Sequence, residues 1–162
     1  MRALAVLLGG GSALLLATVI ILRWNAPSTP SLTAKALSEA AQRWHDAGIK
    51  NYDVDVEILG RQPGRVHLEV RNGEPTAMTR DGRTPSQRRT WDAWTVDNQL
   101  GMIRDEFDAA GDPARGFGAP PGSRVVQRAR FDPELGYPLD YQRAVFGTPL
   151  EVEWRVVNFV RR

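Results

Sequence analysis

The chain has 162 residues, 42% of them hydrophobic and 25% charged, with 21 Lys and Arg against 19 Asp and Glu. That length and balance describe one ordinary folded domain, exclude a chain disordered throughout, and leave too little net charge, +2, for nucleic-acid binding. The absence of cysteine excludes disulfides, thiolate metal sites, a cysteine nucleophile and a cysteine-borne lipid anchor.

Ala3 to Leu22 carries no charged side chain. A helix of that length, at about 1.5 Å per residue, spans about 30 Å, the thickness of a bilayer's hydrocarbon core. Arg2 precedes the run and Arg23-Trp24 follows it, residue types that settle at the headgroup level. Gly9, Gly10 and Gly11 lower helix propensity, but unpaired backbone in lipid costs more. The competing reading is a cleaved signal peptide, whose apolar region is shorter and ends in small residues. Here the exit is Ile21-Leu22-Arg23-Trp24, so residues 1–24 read as an uncleaved transmembrane anchor. A short tail before a first anchor stays in the cytoplasm as a rule, which places the remainder on the periplasmic or extracellular side; Arg23 and Lys35 oppose that orientation. Ala5, Gly9, Ala13 and Ala17 put small side chains on one helix face, where a membrane-protein partner can approach closely. Chance spacing in a segment rich in Ala and Gly gives the same ladder.

Residues 25–31, with Pro27 and Pro30, read as an extended linker, and residues 32–162 as the folded domain. Ser31 stands as the N-cap of a first helix carrying Leu32, Ala36, Leu37, Ala40, Ala41, Trp44 and Ala47 at helical spacing, closed by Gly48. Tyr52 to Leu59 alternates, with Tyr52, Val54, Val56 and Ile58 on one face and Asp53, Asp55 and Glu57 on the other. Arg65 to Arg71 alternates again, and Asn72-Gly73 marks a two-residue hairpin that pairs Leu68 with Ala77 and Val66 with Thr79. The third strand, about Pro75 to Arg80, has a proline and little apolar bulk, which suits an edge.

Asp81 to Arg89 reads as a polar, basic loop, with a short strand within Arg88 to Trp94. Thr95 caps a second helix with a stripe of Val96, Leu100, Ile103, Phe107 and Ala110, and Asp112 to Gly122 is a Pro- and Gly-rich loop. Three strands follow, Arg124 to Phe131, Tyr137 to Arg143 and Leu150 to Val160, with a turn at Asp132 to Gly136. In the last strand the apolar parity moves from Leu150, Val152, Trp154 and Val156 to Val157 and Phe159, which predicts a bulge or burial on both faces. The order α-β-β-β-α-β-β-β with short connections predicts an α+β domain, an antiparallel and curved sheet with two packed helices.

Four stretches, Trp44 with Ala47 to Tyr52, Val70 to Gly73, Thr95 to Asp97, and above all Phe131-Asp132-Pro133-Glu134-Leu135-Gly136-Tyr137-Pro138, resemble a family of bacterial lipoprotein and membrane-anchored domains known only as a domain of unknown function. The matches span about Ala40 to Phe159. Members often carry a lipid-bearing cysteine and sometimes paired cysteines near the first hairpin; this chain has neither. The resemblance implies a surface location and a compact α+β fold. It implies no catalytic residue.

The residues themselves point the same way. Asp53, Asp55 and Glu57 stand about 7 Å apart along one strand face, where a hard cation is one reading and a solvated face neutralised by Arg65 and Arg71 is the other. His45 and His67 have no partner at ligand spacing, and no Gly-x-Ser-x-Gly is present. No catalytic, cofactor-binding or metal residue is therefore assigned, and no cofactor. Arg80, Arg83, Arg88 and Arg89 form a basic loop that suits an anionic surface or simply solvent. The expectation is a non-enzymatic, membrane-anchored domain that binds protein or serves as an accessory subunit of a membrane complex. The alternative is a small-ligand or lipid carrier or sensor that uses the concave face of the sheet, with Trp91, Trp94, Tyr141 and Trp154 as its lining.

Overall fold

A computed structural model of the chain describes residues 29–162. The predicted anchor, its Ala5, Gly9, Ala13 and Ala17 face and the first part of the linker lie outside the described residues. Among the described residues no helix is long and apolar enough to cross a membrane.

Helix α1 spans Ala34–Ala47. Its cap is Thr33 and not Ser31: the Thr33 hydroxyl accepts from the Ala36 N–H at 3.2 Å, while Ser31 is drawn into a β-bridge with Arg128. The helix waits for the next hydroxyl because the backbone before it is held extended. Leu37, Ala40 and Trp44 are its buried stripe. Helix α2 (Arg89–Asp92) replaces the predicted short strand. Trp91 lies in this helix and Trp94 two residues past its end. Helix α3 spans Val96–Ala109, and the Thr95 hydroxyl accepts from the Asn98 N–H at 3.3 Å. Helix α4 (Pro113–Phe117) interrupts the predicted loop, because Asp112 caps the Arg115 N–H at 3.2 Å and proline stands at the first helical position.

The strands are β1 (Tyr52–Ile58), β2 (Gly64–Arg71), β3 (Glu74–Arg80), β4 (Val125–Phe131), β5 (Pro138–Val145) and β6 (Glu151–Arg161). They form one antiparallel sheet in the order β3-β2-β1-β6-β5-β4. Each half is a meander, and the two meet where β1 pairs with β6. This is the expected α+β class, with two short helices added.

The β2–β3 hairpin turns at Asn72-Gly73, both with positive φ, 55° and 84°, and pairs Arg71 with Glu74. Thr76 is then an extra residue, so Leu68 pairs with Met78 and Val66 with Arg80, one position off the predicted register. Pro75 cannot donate to a ladder, and a bulge beside it puts Met78, rather than Ala77, into the core. The predicted bulge in β6 is present: Val56 pairs with Val156 and Asp55 with Asn158, which leaves Val157 as the extra residue, 43% exposed.

Both long helices pack on one face of the sheet. Trp44, Leu37, Val96, Leu100 and Ile103 meet Tyr52, Val54, Val56, Leu68, Tyr141 and Trp154 there. Gly136 (φ 82°) in the β4–β5 turn lies against α1, and a Cβ at this position would overlap the Ala40 carbonyl oxygen.

The β4 edge is covered by Thr29 to Leu32, residues predicted as the end of the linker and the start of the helix. The Ala129 N–H donates to the Pro30 carbonyl at 3.1 Å and the Leu32 N–H to the Gln127 carbonyl at 3.0 Å. The buried Thr29 hydroxyl donates to Asp140, and Arg128 donates to the Thr29 carbonyl at 3.0 Å. Pro30 lies beside Ala129 and Leu32 beside Gln127, so the chain comes onto the sheet from the end that carries Phe131, Tyr52 and Arg161, the near end. The far end carries Ile58, Arg80, Val145 and Glu151.

Candidate functional site

The sheet face away from the helices shows what became of the carboxylate row. Asp53 is buried and accepts from Arg71 at 2.7 Å and Arg162 at 2.7 Å. Burial alone would raise its pKa, but these two guanidinium groups hold the carboxyl below the usual aspartate range. Asp55 is held by His67 at 2.8 Å and Asn158 at 3.0 Å, and Glu57 by Arg155 at 2.7 Å. Of the two predicted partners, Arg71 pairs with the row and Arg65 does not; His67 on β2, Arg155 and Asn158 on β6 and Arg162 just after it supply the rest. Among the described residues no group of three or more Asp, Glu or His side chains is placed to hold a metal ion.

The helix-covered face holds polar groups that sequence reasoning passed over. Glu106 on α3 accepts from the Tyr141 hydroxyl at 2.6 Å and from Arg143 at 2.9 Å. Arg143 is buried, and its guanidinium also lies 4.7 Å from the Phe117 ring centre. Strand parity was the available signal, since Tyr141, Arg143 and Val145 share a face. Burial, with Glu106 beside it, raises the Tyr141 pKa, and burial raises that of Tyr52 to about 12. Glu106 thus holds Tyr141 and Arg143 together, and the Tyr52 hydroxyl accepts from the Val96 N–H at 3.0 Å.

The four predicted basic residues do not form one patch. Arg80 and Arg83 bracket a tight turn at the far end, joined by backbone hydrogen bonds of 2.8 and 3.0 Å. Arg88 donates to the Pro75 carbonyl at 2.8 Å and lies 4.5 Å from the Trp91 ring centre, so it fastens α2 to the β3 edge. Arg89 stands apart, exposed at the start of α2.

A cleft of about 620 Å³ opens at the far end, and one of similar size, about 670 Å³, lies along the β4 edge; the far-end cleft is the one walled by tryptophans. Ile58, Trp94, Met102, Val152 and Trp154 form its apolar walls. Arg61, Gln62, Arg80, Glu151 and Glu153 supply its polar lining. Trp94 packs edge-on against Trp154, with ring centres 6.4 Å apart. The Trp154 indole N–H is buried without an acceptor among the described residues. Of the four predicted lining aromatics, Trp94 and Trp154 are in the walls. Tyr141 lies beneath Trp154 in the core, and Trp91 is turned to the Pro85 carbonyl at 3.1 Å. Nothing in the sequence marked Arg61, Met102 and Val152 as neighbours, because they come from the β1–β2 turn, α3 and β6.

Comparison of the chain with protein-family models, with curated proteins and with solved structures gives no match. The functional reading therefore rests on the cleft and on the chemistry of its walls.

Proposed function

We propose that this chain is a membrane-tethered, extracytoplasmic domain that binds a small apolar ligand in the far-end cleft. The observation that carries the reading is the cleft: its volume is that of a small-molecule site, and its walls are apolar with a few polar groups at the mouth. The tether rests on the uncharged run Ala3 to Leu22 and its Arg and Trp flanks. The resemblance carried by Phe131 to Pro138 supports the same surface location. Because the chain reaches the sheet from the near end, a tethered domain presents the cleft outward.

The test uses the full chain in nanodiscs of zwitterionic lipid and the neutral fluorescent probe N-phenyl-1-naphthylamine. Saturable binding above that of empty discs, at one probe per chain, is expected. Val152→Trp, which fills the cleft, should abolish it. Binding that is unsaturable, or indifferent to this substitution, would remove the reading.

A protein partner is the second reading, favoured by the β3 edge, on which no further strand lies among the described residues. Crosslinking in native membranes should then give discrete partners, and recovery of free monomer alone would count against it.

A further inference from the structure

We infer that the ligand of the cleft is an anionic single-chain amphiphile, with its alkyl body on the apolar walls and its head on Arg61 and Arg80; this rests on the cleft-binding reading above. The charge pattern points to it. Arg71, Arg130, Arg143, Arg155 and Arg162 each meet a carboxylate within 4.0 Å. Arg61 and Arg80, like several other described arginines, meet none, and they are the two that line the cleft. Their side chains reach only backbone carbonyls, Pro149 at 3.3 Å and Gln62 at 3.5 Å. Glu151 forms no ion pair with them, and Glu153 is engaged by Gln142 at 2.9 Å.

Two guanidinium groups at the mouth of an apolar cleft complement a carboxylate or a phosphate monoester, which they bind through paired, charge-assisted hydrogen bonds. A cationic head would find only the exposed Glu151, because Glu153 is engaged by Gln142. The volume, that of a small molecule, suits one alkyl chain and not a two-chain lipid.

The experiment measures displacement of N-phenyl-1-naphthylamine from the full chain in zwitterionic nanodiscs by four ligands with one tail: octanoate, octyl phosphate, 1-octanol and octyltrimethylammonium. Octanoate and octyl phosphate should displace the probe at concentrations at least tenfold lower than 1-octanol, and the stronger of the two names the head. Arg61→Gln combined with Arg80→Gln should erase that advantage and leave displacement by 1-octanol unchanged. An unchanged 1-octanol curve also shows that the variant is folded, and Arg61→Gln alone should give an intermediate loss. Equal potency of 1-octanol and octanoate, or greater potency of the cation, overturns the anionic assignment and leaves the cleft standing. Failure of the probe itself to bind overturns the cleft reading instead.

Discussion

Asp53 sits on the central strand with a guanidinium on each carboxylate oxygen, Arg71 from β2 and Arg162 from the end of the chain. Its folded pKa lies below the unfolded value, so its ionised form favours the fold. That contribution is complete above the ordinary aspartate pKa of about 3.9 and fades as pH falls through the depressed folded value. Asp53→Asn should therefore lower the Tm at pH 7, and the gap from the parent protein should close as the pH falls from about 4 toward 2. A gap constant with pH would show that the pair does not act through ionisation. Gly136 makes a different demand. Its positive φ and its contact with the Ala40 carbonyl leave no room for a methyl group. Gly136→Ala should cost about 3 kcal/mol, from backbone strain and overpacking together, seen as a lower urea midpoint. The glycine and the turn were legible in the sequence. Its role against α1 was not, because the pressure comes from a helix about a hundred residues earlier in the chain.

At the scale of elements, α3 is tied to β5 by one charged contact inside the packed layer, Arg143 to Glu106 at 2.9 Å. Removing one partner strands the other charge, which costs about 3–5 kcal/mol for a buried pair. Arg143→Leu should show a loss of that order in urea unfolding. Arg143→Leu with Glu106→Leu should recover a large part of it, and a double variant no better than the single would contradict the account. The extended segment on β4 depends on a second contact. Thr29→Val removes the hydroxyl that donates to Asp140, a charge-assisted bond worth about 1.5–3 kcal/mol. Hydrogen exchange at Ala129, whose amide bonds to Pro30, should accelerate in that variant while exchange in β1 is unchanged. Elements with strong period and clear caps, α3 and β1 among them, were legible in the sequence. The capture of Thr29 to Leu32 was not, since two prolines and small polar residues read as a spacer wherever no edge is known to receive them. The β2–β3 register slipped by one for a local reason, as Thr76 gives no sign in sequence that it stands outside the ladder.

Over the whole molecule, the two meanders close around a core that needs both, because β1 and β6 are neighbours only when the chain's halves have met. The cleft belongs to this scale. Its walls come from the β1–β2 turn, the α2–α3 connection and the start of β6, so it exists only in the finished fold. A ligand bound there stabilises the native state alone, and at a concentration of 100 times its Kd the gain is about 2.7 kcal/mol. Octanoate should accordingly raise the Tm of the parent protein and have no such effect on Val152→Trp. The sequence showed the aromatic residues from which the cleft is partly built, but parity and periodicity report which face a side chain takes and not where a layer of helices ends.

The segment from Thr29 to Leu32 lies along β4 and comes onto the sheet from the end opposite the cleft. A pull on the chain ahead of Thr29, resisted by a load held at the cleft, runs parallel to the strands. Its hydrogen bonds to Gln127 and Ala129 and its side-chain contact with Asp140 are then strained together in shear instead of being opened one after another. Thr29 to Leu32 is thus held most firmly against a pull along the strands.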